Sequence, residues 1–325
     1  MATIVNALLP VFITVLLGYL AAWRHDEDGR AATVFNKMVM TYTLPLSLFA
    51  GTVTMSRSQL IGNLPTVAAL FAGLAVPFAL ALAVARYVFR RGLGESTLQA
   101  LAMSFPAVPF IGIPVLGSIF GAEAATLIVA VSGLATNLVI VPASIILLSL
   151  AAADGGGTQP DAAQRGAPGQ AGSKPAVGGI VWSSLKEPVV WAPVLAVLLV
   201  FVGVPLPSPV VTSLQLLGST TSGVSLFASG IILWAQTPTV SVPIVTSTLV
   251  RLAVIPGLAL LLLPFAGMTG KAMSETVVAL AMPCAVMLII LSVRYHVAEK
   301  ESASVLLYSY VFSAASMASA VLLTG

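Results

Sequence analysis

Charge is what this sequence lacks most. Only 8% of its 325 residues are Asp, Glu, Lys or Arg, against about 25% in an ordinary soluble protein. A soluble fold of this length could bury a large core, but it could not clothe its surface with so few charges. With 58% hydrophobic residues and a mean hydropathy of +1.05, the chain reads as a polytopic membrane protein. Cysteine is nearly absent as well. Cys284 stands alone, which excludes an intramolecular disulfide and any cysteine-cluster metal site. A small apolar filler is its natural role.

Other absences narrow the function. No predicted span carries a central Asp or Glu, so the carboxylate relay of a sodium/proton exchanger is missing. There is no HExxH metal motif and no P-loop. No serine has a histidine at intramembrane depth, so a membrane hydrolase would lack its base. ATP drive, catalysis, and any metal or other cofactor are therefore not expected, and the chain does not read as an enzyme. His25 and His296 lie at the membrane edge beside charged neighbours. They read as solvated loop residues, with a pH-sensitive gate as the alternative. The net charge of +3 resides in loops, so it serves topology rather than nucleic-acid binding.

What is present is a succession of apolar runs. A helix needs about 20 such residues to cross a bilayer. Breaks at charge, Gly and Pro give ten spans, near 3–23, 32–53, 64–89, 97–120, 124–150, 188–204, 209–235, 241–266, 273–293 and 302–323. The N-terminus, Met1–Val5, has no basic leader region and its apolar stretch is too long for a signal peptide, so it opens the first span. Placing it outside puts eleven Lys and Arg on the inner face (Arg24, Arg30, Lys37, Arg86, Arg90, Arg91, Arg165, Lys174, Lys186, Arg294, Lys300) and two, Arg57 and Lys271, on the outer. That bias sets both termini on the outer face of a plasma membrane. Residues 151–180 hold eight Gly, eight Ala and three Pro, too little to form a core, and read as a flexible cytoplasmic linker between 1–150 and 181–325.

The two halves match at a nearly constant offset. Ser47-Leu48-Phe49-Ala50 meets Ser225-Leu226-Phe227-Ala228, Pro65 meets Pro243, and Leu74-Ala75-Val76 meets Leu252-Ala253-Val254, all 178 residues apart. The tetrads Ala100–Met103 and Ala279–Met282 match at 179. Ordered matches of this kind indicate duplication. Because five spans is an odd number, the second copy enters the membrane from the opposite side, giving an inverted 5+5 repeat.

Both fourth spans are broken by proline. Pro106, Pro109 and Pro114, with Gly112 between them, cannot share a regular helix. Pro283 breaks the ninth span at the matching position. Loose backbone at membrane depth must be covered by protein or face water, and paired breaks of this kind mark the substrate site of a secondary transporter. Spans 4 and 9 would cross there, with half-helix N-termini converging as an anion site. The candidate site comprises Ser104, Pro106, Ala107, Val108, Pro109, Asn137, Arg251, Pro283 and Cys284. Arg251 lies deep in the eighth span with no acidic residue to pair with. It either bonds carbonyls freed by the breaks or meets an anionic substrate. Asn137 either caps a broken end or binds substrate. Ser104, Ser313, Ser316 and Ser319 read first as close-packing residues.

Leu8-Leu9-Pro10-Val11-Phe12, Leu17-Gly18-Tyr19-Leu20, Asn36-Lys37 through Leu44-Pro45, Phe110-Ile111-Gly112-Ile113-Pro114, Arg251 to Pro256, Met282-Pro283 and Arg294-Tyr295 together resemble the auxin efflux carrier family, especially bacterial members regarded as malonate or dicarboxylate carriers. The resemblance covers nearly all of the chain outside the linker. It implies a sodium/proton-antiporter-like fold, with spans 1, 2, 6 and 7 as a scaffold and spans 3–5 and 8–10 as a transport domain moving like an elevator. It also implies organic-anion substrates, proton coupling or facilitated diffusion, and a homodimer through scaffold helices. The family often has Asn where this chain has Pro106 and Met287, so the crossing here is less polar. The expected function is a carrier of a small carboxylate. The alternatives are a carrier of weakly polar or amphipathic solutes and a non-transporting membrane sensor or scaffold.

Overall fold

The computed structural model describes residues 2–25, 29–54, 64–154, 179, 182, 186–204 and 206–324. Most of the expected linker lies outside the described residues. Among those described, the fold is all-helical, with a single isolated bridge between Pro106 and Cys284 and no strand.

In chain order the helices are α1 (Ala2–Trp23), α2 (Gly29–Met38), α3 (Leu44–Val53), α4 (Leu64–Ala83), α5 (Leu93–Ser104), α6 (Val108–Phe120), α7 (Ala122–Ala135), α8 (Val141–Asp154), α9 (Pro188–Val202), α10 (Ser208–Gly218), α11 (Thr220–Ala235), α12 (Val242–Leu249), α13 (Ile255–Leu262), α14 (Gly270–Leu280), α15 (Met287–Tyr295) and α16 (Glu299–Thr324). Several of these continue into one another through widened π-helical turns. Val39–Thr43 joins α2 to α3, Thr136–Ile140 joins α7 to α8, and Val250–Val254 joins α12 to α13. Each of these turns is followed two residues later by proline: Pro45, Pro142 and Pro256. A proline ring collides with the carbonyl four residues back and has no N–H to offer it. Widening the turn by one residue relieves the collision without ending the helix.

Among the described residues, four helical runs are long and apolar enough to cross a membrane: Pro65–Val88, Ser208–Ala235, Val242–Ala266 and Glu299–Thr324. Their outward faces carry Leu80, Leu216, Val242, Leu261 and Leu322, an apolar exterior that suits lipid rather than water. The polar residues are turned inward, many with hydroxyls bonded back to their own helix, as Ser144 to Ile140, Ser229 to Ser225 and Thr248 to Ile244.

Packing is closest where side chains vanish. α1 runs against α11 at Gly18 and Gly230. A Cβ at Gly18 would stand 2.0 Å from the Phe227 carbonyl oxygen, and one at Gly230 would stand 2.0 Å from that of Val15. The two backbones therefore touch, as small residues permit between membrane helices. α3 packs on α9 and α10, and α2 on α11. Elsewhere α4 lies on α5, α6 on α7, α5 on α8, and α16 against α12, α14 and α15.

Candidate functional site

Two chain breaks meet at the centre of the buried core. α5 ends at Ser104, and the chain passes through Phe105, Pro106 and Ala107 before α6 begins at Val108. α14 ends at Leu280, and residues 281–286 lead to α15. Proline explains both interruptions, since neither Pro106 nor Pro283 can donate to a helix. The freed backbone groups find each other. The Ala107 N–H donates to the Pro283 carbonyl at 2.8 Å, and the Ala285 N–H donates to the Phe105 carbonyl at 2.9 Å. A short antiparallel bridge thus replaces lost helical bonds, as an apolar interior demands.

The crossing is closed. Phe105 is 2% exposed, and Ala107, Val108, Ala281, Met282, Cys284, Ala285 and Val286 are all at 0%. Pro106 and Pro283 are buried, and Pro109, at the start of α6, is half-buried. The Cys284 thiol is free and buried. Its backbone N–H donates to Ser309 Oγ on α16 at 3.1 Å. Ser104, the last residue of α5, donates back to the Ala100 carbonyl at 2.7 Å, so its hydroxyl serves its own helix.

Arg251 is fully buried and binds both broken helices. Its Nη1 donates to the Met103 carbonyl at 3.2 Å, and its Nη2 donates to the Leu280 carbonyl. These are C-terminal carbonyls, which a helix leaves without partners and which carry the negative end of its dipole. One guanidinium therefore satisfies the carbonyl ends of α5 and α14 together. Its Nε has no partner. The opposite helix ends at the crossing, the N-termini of α6 and α15, present N–H groups and a partial positive charge. Among the described residues the buried charges are Arg251 and Glu275. Glu275 lies midway along α14, 3.9 Å from Lys271.

Ser316 completes the arrangement. Pro256 deprives the Leu252 carbonyl of its helical donor, and Ser316 Oγ takes that carbonyl at 2.5 Å while lying 3.2 Å from the Ala281 carbonyl. Ser316 thus ties α16 both to the arginine-bearing turn and to the ninth-span break. Ser313 and Ser319 bond back to Tyr310 and Ala315. Ser309, absent from the sequence-based candidates, was signalled only by the need of a backbone N–H freed near Pro283. Asn137 is on the π turn Thr136–Ile140, which packs against α4 and α9; its side chain lies outside the described residues. Seven of the nine candidates, from Ser104 through Val108 with Arg251, Pro283 and Cys284, are thus buried at or beside the crossing, with Pro109 at its rim.

Comparison with known proteins agrees with these features. Residues 3–321 match a family model described as "Membrane transport protein". The chain is 30% identical over 295 residues to the "Uncharacterized transporter YfdV" of Escherichia coli (strain K12), covering 90% of this chain and 88% of that one. It is 26% identical over 325 residues to a Rhizobium meliloti (strain 1021) protein named "Putative malonate transporter", covering 98% of this chain and 94% of that one. An all-helical, lipid-faced chain whose match spans nearly its whole length belongs to the auxin efflux carrier family of membrane transport proteins.

Proposed function

We propose that this protein is a plasma-membrane secondary carrier for a small organic anion, a carboxylate, held where the two broken helices cross. The observation that carries the proposal is the placement of Arg251. It occupies the two negative helix ends through Met103 and Leu280, leaving the positive ends of α6 and α15 without a countercharge. A carboxylate is the small solute that such donors suit. The malonate assignment in the name of the Rhizobium relative points the same way.

The ten-span inverted repeat is part of this proposal, and the packing supports it. Exchange of the halves relates span 1 on span 7 to span 6 on span 2, which are α1 on α11 and α9 on α3. The same exchange relates α4 on α5 to α13 on α14, α6 on α7 to α15 on α16, and α5 on α8 to α14 on α16. The contact of α1 with α6 is an exception, since α9 has no comparable contact with α15. Spans 1, 2, 6 and 7 would form the scaffold, and spans 3–5 and 8–10 the moving domain of an elevator, with both termini outside. Proton coupling and a scaffold-mediated homodimer complete the expectation.

A carrier of weakly polar or amphipathic solutes is the second reading, favoured by the apolar lining of Ala107, Val108, Pro283 and Cys284. The deciding experiment is a thermal-shift screen of the purified protein with mono- and dicarboxylates and with their amides. Saturable stabilisation by an acid but not its amide supports the anion site. Equal stabilisation by both supports the amphipathic solute.

A further inference from the structure

Tyr310 stands out among the buried polar residues. It is 4% exposed, and its hydroxyl, sealed from solvent, has no hydrogen-bond partner. Many buried serines and threonines here bond back to the carbonyl three or four residues earlier, as Ser104, Thr136, Ser144 and Ser313 do, while Thr43, Ser132, Thr221 and Ser225 share the lack of a partner. A tyrosine cannot do this, because its rigid ring carries the hydroxyl away from its own helix. Its O–H needs a partner from elsewhere, and leaving it bare in an apolar interior is unfavourable. Phenylalanine would fill the same volume without that penalty.

The position of this hydroxyl-bearing ring is informative. The preceding residue, Ser309, accepts the Cys284 N–H at 3.1 Å, which fixes Tyr310 at the level of the crossing. Its ring stands edge-on to Phe12 of α1, with centroids 6.4 Å apart and planes at 82°. Tyr310 therefore lies between α16, which packs on the ninth-span break, and α1, which packs on α11. These are the two bodies that would move apart in the carrier proposed above.

We propose that Tyr310 is a solute-contacting, specificity-determining residue whose hydroxyl donates to a carboxylate oxygen of the bound anion. This step rests on the carrier reading above. It adds a neutral donor to the helix N-termini, and its unpartnered state is that of the empty protein.

The test compares wild-type protein with Tyr310→Phe, using malonate, succinate and acetate as probes and thermal shift and calorimetry as readouts. The variant keeps the ring and its edge contact with Phe12. It should melt at or above the wild-type temperature when empty, because an unpartnered hydroxyl has gone. Its affinity for whichever carboxylate stabilises the wild type should fall about tenfold or more, as loss of a hydrogen bond to a charged group entails. Unchanged affinity in a folded variant overturns the role of Tyr310 and leaves the carrier proposal standing. Failure of every carboxylate to bind the wild type overturns the carrier proposal itself. Should the variant not fold, 3-fluorotyrosine at position 310 gives a fluorine resonance that moves on saturation with the ligand. A resonance unmoved at saturation overturns the proposal equally.

Discussion

Arg251 shows how a single residue can be legible in kind but not in role. Its depth in an apolar run marks it as costly, by roughly 2.5–3.5 kcal/mol on insertion scales. Its partners lie 148 and 29 residues away in sequence, at Met103 and Leu280, and become neighbours only when two separate breaks meet. Local pattern cannot supply that pairing. Arg251→Ala removes both bonds and leaves two buried carbonyls bare, so it should destabilise the protein by about 2–5 kcal/mol, read as a lower melting temperature in detergent. A melting temperature within a degree of wild type would show that the guanidinium does not hold the helix ends. The glycines make a second prediction at this scale. Gly18→Ala and Gly230→Ala each drive a methyl into a facing backbone and should lower stability by about 1–3 kcal/mol. Gly51→Ala, with nothing within 4 Å, should stay within about 0.5 kcal/mol.

At the scale of elements, proline decides the shape of this fold. Pro106 and Pro283 break helices outright, whereas Pro45, Pro142 and Pro256 follow turns that merely widen. The sequence announces every one of these prolines, and the paired outright breaks were readable from their matching positions. Which prolines would break and which would bend was not, because the outcome depends on what receives the freed carbonyl. For Pro256 the freed carbonyl is that of Leu252, and the recipient is Ser316, 64 residues beyond Leu252. Seen in sequence alone, Ser316 is one of several small residues on α16 with nothing to distinguish it from Ser313 or Ser319. The pairing makes a reciprocal prediction. Ser316→Ala exposes the Leu252 carbonyl and should cost about 1–3 kcal/mol. Adding Pro256→Ala restores an N–H to that carbonyl, so the double variant should recover part of the loss. A double-mutant cycle on melting free energies measures this, and strict additivity would contradict the assignment of Ser316 as the stand-in donor.

For the whole molecule, charged and amide side chains join the proposed scaffold to the proposed moving domain at specific points. Arg294 at the end of α15 makes two bonds of 2.8 Å to Glu187, the residue before α9. Gln236, just after α11, donates to Glu299 on α16 at 3.2 Å. If one body slides past the other, the Glu187–Arg294 pair must separate. A bis-maleimide bridge between Glu187→Cys and Arg294→Cys should therefore halt counterflow in proteoliposomes; Cys284 is buried beyond the reagent. Undiminished counterflow with the bridge in place would mean that α9 and α15 do not part. The global class was the most legible feature, since scarcity of charge admits few other answers. The identity of the solute was the least legible, because the proposed site at the crossing offers backbone ends rather than a diagnostic side-chain motif.

The central claim is that the meeting point of the two broken helices takes a carboxylate by its charge. Its most direct measurement is counterflow of labelled malonate into proteoliposomes of the purified protein, challenged with unlabelled dicarboxylates and with malonamide, the uncharged isostere. Saturable counterflow, suppressed by malonate or its near homologues and indifferent to malonamide, is the result predicted here. Uptake that malonamide suppresses as well as malonate does would contradict an anion site at the crossing.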